Sequence, residues 1–364
     1  MSQAFRVIDS GVVEGRLNIA IGQAIVEAHQ VGGVPDTLRF LRFPPTALVG
    51  RHQALAQEID LDYCRENDIG VARRITGGGA IFLDPGQLGW ELVLRRSTLG
   101  ITSLADLARE ICEAVADGIS RLGVQASYRP RNDIEVAGRK ISGTGGFFDG
   151  DTLFYQGTVL VDMNPKLMVS ALRVPKAKLE KRNLDSAEQR VVTLRELLGD
   201  NTPGLAQIQD TLVASFSERF GLQMTAAQLS DAEYDQAKRL WREEIGQDEF
   251  VSEIEEPPAA RGDLAGQHLS PGGTIRSYIR LEGPAQNRVR AALITGDFFI
   301  APPRVIYDLE ASLRGVYIDQ LDAVVRDFFQ AAQVEVLSVS AQDFIASINN
   351  ALSGDDHGHA QDKA

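Results

Sequence analysis

The stretch Val71-Ala72-Arg73-Arg74-Ile75-Thr76-Gly77-Gly78-Gly79-Ala80-Ile81-Phe82-Leu83-Asp84 sets three consecutive glycines between two strand-like apolar runs, with a pair of arginines leading in. Glycine lacks a Cβ, so such a turn can adopt positive φ and let a ligand approach the main chain. Successive N–H groups can then hold a carboxylate or a phosphate, with Arg73 and Arg74 adding charge-assisted bonds. The same residues also suit a tight hairpin turn whose arginines lie in solvent. No Gly-Lys-Ser/Thr follows, so this is not a P-loop, and the spacing does not fit a dinucleotide fingerprint.

Outward from this turn the pattern is that of a sheet with short connections. Thr37 to Phe43 alternates, Pro44-Pro45 turns the chain, and Ala47 to Gly50 continues. Leu88 to Leu94 and Thr152 to Met163 read as further strands. Helical spacing of apolar residues marks Gly15 to Gln30, Ser103 to Leu122 and Leu205 to Phe220. Thr102 or Ser103 can cap the second of these, and Gly123 stops it.

A second informative stretch is Arg131-Asn132-Asp133-Ile134-Glu135-Val136-Ala137-Gly138-Arg139-Lys140-Ile141-Ser142-Gly143, two strand-like runs about a hairpin turn. A lysine entering a strand beside small residues can set its ammonium against an anion developing at an acyl carbonyl or an α-phosphate. Asn132 and Asp133, just before the hairpin, could bind adenine, ribose or a water on Mg²⁺. Taken singly, Lys140 also reads as a solvated hairpin lysine and Asp133 as a turn residue.

At 364 residues the chain is long enough for two domains. Its composition is that of an ordinary globular protein, with no apolar run long enough to span a bilayer and no visible signal peptide. A formal net charge of -13 opposes non-specific binding to nucleic acid. Two cysteines cannot build a disulfide framework, which points to the cytoplasm. Cys112 falls on the apolar stripe of its helix and reads as a core residue, and Cys64 has no neighbouring histidine to activate it. No cluster reads as a metal site; His357 and His359 in the polar tail are too few.

A boundary lies between about Val251 and Gly273, where acidic residues, Pro257-Pro258 and several glycines collect. The expected organisation is a catalytic domain over 1–250, a linker over 251–273, an accessory domain over 274–353 and a flexible tail over 354–364. In the accessory domain, paired strands over Ser277 to Leu281 and Val289 to Thr295 precede helices over Arg304 to Arg314, Ile318 to Ala332 and Ala341 to Leu352.

Taken together, these motifs resemble the lipoate–protein ligase family, within the wider biotin and lipoate ligase fold. Family members carry Arg-Arg-x-Ser/Thr-Gly-Gly-Gly-Ala-Val/Ile-Phe, matched by Arg73 to Phe82. Asn-Asp before a hairpin and Lys-x-x-Gly within it are matched by Asn132-Asp133 and by Lys140 to Gly143, and a following Gly-Thr by Gly157-Thr158. Val49 to Gln53, and Val174-Pro175-Lys176 through Leu194, also resemble family segments, so the likeness runs from about Arg16 to Leu198. Ile294-Thr295-Gly296-Asp297-Phe298-Phe299 resembles the family's accessory domain, which supports adenylation; the Phe298 and Phe299 side chains themselves read as core packing.

The resemblance implies an α+β (α/β mixed) protein, with a large mixed-sheet catalytic domain and a small α+β accessory domain. It implies ATP, Mg²⁺ and lipoate as reactants, lipoyl-AMP as intermediate, and a lysine of a lipoyl-domain or H-protein-like acceptor as target. Lys140 would be catalytic; Arg73, Arg74, Thr76, Gly77, Gly78, Gly79, Ala80, Asn132, Asp133, Gly143, Gly157 and Thr158 would bind the lipoyl-adenylate. Lys176, Lys178, Lys181 and Arg182 would belong to a mobile loop closing over it. Many relatives have histidine where this chain has Leu83, and His-His-Gly where it has Tyr155-Gln156-Gly157. The alternatives are an octanoyl- or lipoyltransferase drawing on an acyl-carrier donor, and a non-catalytic lipoate-binding homologue. In the nearest octanoyltransferases the nucleophilic cysteine lies just before the hairpin, a region here occupied by Arg129 to Asp133, without cysteine.

Overall fold

The computed structural model describes residues 4–101, 103–130, 132–173, 190–257, 263–332, 334–336 and 339–354. They form two compact units. The first comprises Met1–Val49, Leu55–Ile75 and Ala80–Glu253; the second comprises Gly50–Ala54, Thr76–Gly79 and Ile254–Ala364.

The first unit is built on an eight-stranded mixed sheet. Its strands are β1 (Ala4–Val12), β2 (Thr37–Arg42), β6 (Gln87–Arg95), β7 (Ala126–Arg129), β8 (Asp133–Val136), β9 (Arg139–Asp149), β10 (Thr152–Leu160) and β11 (Gln223–Ala226), in the order β11-β1-β2-β6-β10-β9-β8-β7. β1 pairs in parallel with β11 and β2, and every other pairing is antiparallel. Both faces of the centre are covered, so β6 is buried along almost its whole length instead of alternating.

On one face Trp90 of β6 meets Phe216 of the helix Leu205–Phe220, with ring centroids 5.9 Å apart. On the other, Glu91 lies under Gly22 of the helix Gly15–Gln30, where an added Cβ would stand 3.2 Å from its carboxylate. Glu91 is neutralised there by Arg39 at 2.9 Å, both side chains being buried. The predicted helix at Ser103 forms as Leu104–Ser120, with the Ser103 hydroxyl accepting from the Asp106 N–H.

A smaller three-stranded sheet, β3 (Thr46–Val49), β4 (Gly70–Arg73) and β5 (Ile81–Leu83), runs in the order β4-β3-β5. Its apolar faces pack against Cys64, Ile69 and Ala171 on one side and against Ile19, Ala20 and Ile245 on the other.

In the second unit β12 (Leu264–Ser270), β13 (Gly273–Glu282) and β14 (Arg288–Gly296) form an antiparallel sheet. It packs against the helices Val305–Leu313, Leu321–Ala331 and Ala341–Ser353 around Ile275, Ile279, Ile294, Leu309 and Phe344. β12 lies inside the segment 251–273 that composition marked as a linker. The glycine that suggested a loop, Gly266, sits there because helix backbone crosses it: an added Cβ would stand 2.0 Å from the Ala351 nitrogen. Among the described residues no helix is long and apolar enough to cross a membrane.

Candidate active site

Ala137 and Gly138, at φ 50° and 78°, make a two-residue turn of two left-handed residues between β8 and β9. Lys140 and Gly143, three residues apart on β9, would face opposite ways in a regular strand. The pairing shifts between them. Lys140 stands opposite Glu135 but Ser142 opposite Ile134, which leaves Ile141 as the extra residue of a β-bulge. The bulge turns Lys140 onto the face of Gly143, where an added Cβ would stand 2.5 Å from the lysine Nζ. Asp133, paired with Gly143 across the strands, accepts from Lys140 Nζ at 2.7 Å. Lys-x-x-Gly is therefore one device: the bulge aims the ammonium, the missing side chain makes room for it, and Asp133 holds it.

Arg129 flanks the pair, 2.7 Å from Glu135 and 3.8 Å from Asp133. Asn132 is tied to β9, donating from Nδ2 to the Thr144 carbonyl at 2.9 Å and accepting from the Thr144 N–H at 2.8 Å. Thr144 pairs with Gly157 of β10, so Thr158 lies on the opposite face, the one that Lys140 and Gly143 share. Gly157 makes room for an aromatic ring, since an added Cβ would stand 2.3 Å from Trp90.

In the second unit the glycine turn is bound by main chain. Gly78 donates its N–H to the Phe298 carbonyl at 3.2 Å, and a Cβ on Gly77 would stand 2.1 Å from that oxygen. A Cβ on Gly50 would stand 1.9 Å from the Gly78 carbonyl, and the Arg51 N–H donates to the Thr76 carbonyl at 2.9 Å. His52 stacks on Phe298 with centroids 5.1 Å apart, while its carbonyl accepts from the Gly296 N–H at 2.9 Å. The expectation of a row of N–H groups all turned to a ligand is corrected at Gly78. Gly77 is needed for backbone approach to Phe298, a long-range contact invisible in a local reading.

The two arginines before the turn belong to the first unit and are both buried. Arg73 donates from Nε and Nη2 to the carbonyls of Phe250 and Val251, at 2.8 to 3.1 Å. Burial lowers the Arg74 guanidinium to about 10, so it stays a cation at neutral pH in a poorly hydrated place. Ala80 follows the turn and leads into β5.

The lipoyl protein ligase A/B catalytic domain model matches residues 14–217. The chain belongs to this family. It is 30% identical over 273 residues to octanoyltransferase LipM of Symbiobacterium thermophilum, covering 69% of this chain and 98% of that one. It is 32% identical over 192 residues to lipoate-protein ligase LplJ of Bacillus subtilis, covering 53% of this chain and 56% of that one. A crystal structure of P. falciparum LipL1 in complex with lipoate superposes with a TM-score of 0.71 at 16% identity, over 95% of this chain and 99% of that one. The fold is the mixed α+β architecture that the resemblance implied.

The two cysteines of the chain, Cys64 and Cys112, are both buried and free. Burial pushes each thiol up to about 11. Cys112 donates into a hydroxyl cluster, its Sγ lying 3.2 Å from Thr144 Oγ1 and 3.6 Å from the Tyr155 hydroxyl. Leu83 is packed in the core of the small sheet and Tyr155 is fully buried. Lys176, Lys178, Lys181 and Arg182 lie outside the described residues. The part His52 plays was missed from sequence, although Val49 to Gln53 had been marked by resemblance; Thr144 carries no sequence signal beyond following Gly143.

Proposed function

We propose that this chain is an ATP-dependent lipoate–protein ligase, which converts lipoate to lipoyl-AMP and passes the lipoyl group to a lysine of an acceptor protein. The observation that carries this reading is the state of the thiols. A cysteine-dependent acyl transfer needs an accessible thiolate, and both cysteines of the chain are buried with their protons held. A ligase needs no enzyme nucleophile.

In the first step the lipoate carboxylate attacks the ATP α-phosphorus and pyrophosphate leaves. Arg74 offers a desolvated cation to the carboxylate, and Lys140, held in place by Asp133, faces the charge developing on the carbonyl and phosphate oxygens. Ala80, Gly143 and Thr158 contribute backbone and small side chains along the lipoyl-adenylate, and Asn132 and Asp133 serve its nucleotide side. Arg73 and Gly157 shape this site through their packing. In the second step the acceptor's ε-amine attacks the mixed anhydride and AMP departs. Asp133 is the carboxylate that would face the water shell of a Mg²⁺ carried on the ATP phosphates, where the ion would supply charge neutralisation.

The partner is a lipoyl-domain or H-protein-like acceptor, and the two free thiols suit the cytoplasm. Nucleic acid and membrane play no part in this reading. Intact-mass spectrometry of apo-acceptors incubated with the chain, lipoate and Mg²⁺ tests it: a lipoyl mass gain only when ATP is present is expected. Gain without ATP, from an acyl-carrier donor, would establish a transferase; binding of lipoate with no turnover would establish a binding homologue.

A further inference from the structure

Behind the Lys140–Asp133 pair lies a buried set of polar groups that no step of the chemistry uses. A threonine hydroxyl has one proton and two lone pairs. Thr144 Oγ1 lies 3.1 Å from the Asn132 carbonyl, which can only accept, so the hydroxyl proton goes there. Its two lone pairs are left for the Tyr155 hydroxyl at 2.8 Å and the Cys112 thiol at 3.2 Å. The hydroxyl is thereby saturated, and no rotation of it improves on the arrangement. Two further bonds join the same residues, one between main-chain groups from the Thr144 N–H to the Asn132 carbonyl and one from the Asn132 side-chain Nδ2 to the Thr144 carbonyl. Asn132 immediately precedes Asp133, whose carboxylate holds Lys140.

We propose that Thr144, braced from behind by Tyr155 and Cys112, is a positioning residue that fixes Asn132–Asp133 and through it the place of the Lys140 ammonium. For catalysis this rests on the ligase reading, in which Lys140 must meet an oxygen at a defined point. Displacement of such a donor by about 1 Å is costly, because the stabilisation is preorganised. Tyr155 then has a purpose of its own: it is the hydrogen-bond donor behind the strand.

The test compares Thr144→Val, which keeps the shape and deletes the hydroxyl, with Thr144→Ser, which keeps the hydroxyl. Lipoate-dependent pyrophosphate release should fall about tenfold or more in kcat for T144V, on the scale of one lost buried hydrogen bond. KM for lipoate and ATP should stay within about twofold, and T144S should keep most of the rate. A folded T144V with wild-type kcat, or T144S failing as badly as T144V, would overturn the proposal. A second readout does not need turnover: acetic anhydride labelling of Lys140 in the folded chain, mapped by peptide mass spectrometry against Lys166 and Lys238. T144V should label Lys140 several times faster than wild type while the reference lysines stay unchanged; equal labelling would refute the positioning role. If wild type itself releases no pyrophosphate, the ligase reading fails and the labelling result decides the positioning question alone.

Discussion

Replacing Lys140 by alanine separates chemistry from folding in this protein. The lysine side chain is 34% exposed and its partner Asp133 20% exposed, so their ion pair is partly solvated and contributes at most about 1 kcal/mol to stability. The expected fall in Tm is therefore no more than about 4 °C for a unit of this size. The effect on rate is of another order. Removing one preorganised donor from a developing oxyanion costs about 100-fold or more in turnover. Lys140→Arg should rescue little, because the ammonium sits 2.5 Å from where a Cβ on Gly143 would be, and a branched guanidinium has no room there. Pyrophosphate release with lipoate and ATP measures the first step, and intact mass of the acceptor measures the sum of both. Near wild-type turnover by folded Lys140→Ala would refute the assignment of Lys140, and full rescue by arginine would refute the steric part of the reasoning.

Four further outcomes follow from the geometry. Gly143→Ala should push the Lys140 head away from Asp133 and lower kcat while leaving Tm nearly unchanged, since the obstructing atoms end a flexible side chain; thermal unfolding and steady-state rates check both halves. Gly77→Ala should be costly to folding, because its Cβ would meet the Phe298 carbonyl at 2.1 Å, and unchanged unfolding by denaturant would contradict this contact. Glu91→Leu strands a buried Arg39 cation and should cost about 3–5 kcal/mol, read from the denaturation midpoint. Glu310, whose carboxylate accepts from the Ile294 N–H at 2.7 Å, is raised by burial from 4.5 to about 7. The native state then binds the proton more tightly than the unfolded chain, so stability is highest below about pH 4.5 for this group. It is lost as pH rises towards 7, by up to about 3 kcal/mol. Glu310→Gln should accordingly match wild type near pH 5 and exceed it near pH 8, and a parallel pH dependence of the two proteins would contradict the assignment.

Where function rests on local chemistry, the sequence was readable. The hairpin about Ala137-Gly138, the Ser103 cap and the apolar stripe that carries Cys112 are set by residues within a turn or two of one another. The bulge at Ile141 was not readable, because strand register is set by the neighbouring strand and both phases of the alternation place small or apolar residues acceptably. The glycine turn suits an anion cradle or a tight hairpin turn, and a local reading cannot choose between them. Its actual main-chain partner, Phe298, lies more than two hundred residues away. Leu264–Ser270 looked like a linker because Gly266 serves a close helix crossing rather than a bend. Arg73 looked like a ligand residue, yet its described hydrogen bonds brace the Phe250 and Val251 carbonyls, a role that arginine composition cannot signal.

The central claim, activation by ATP without an enzyme nucleophile, is tested most directly on the chain carrying Cys64→Ala and Cys112→Ser. The measurement is the intact mass of an apo-lipoyl domain incubated with that variant, lipoate and Mg²⁺, with and without ATP. A lipoyl gain that requires ATP, at a rate close to that of the unmodified chain, is the predicted result. A gain that ignores ATP, draws on an acyl-carrier donor and disappears with the cysteines would contradict it.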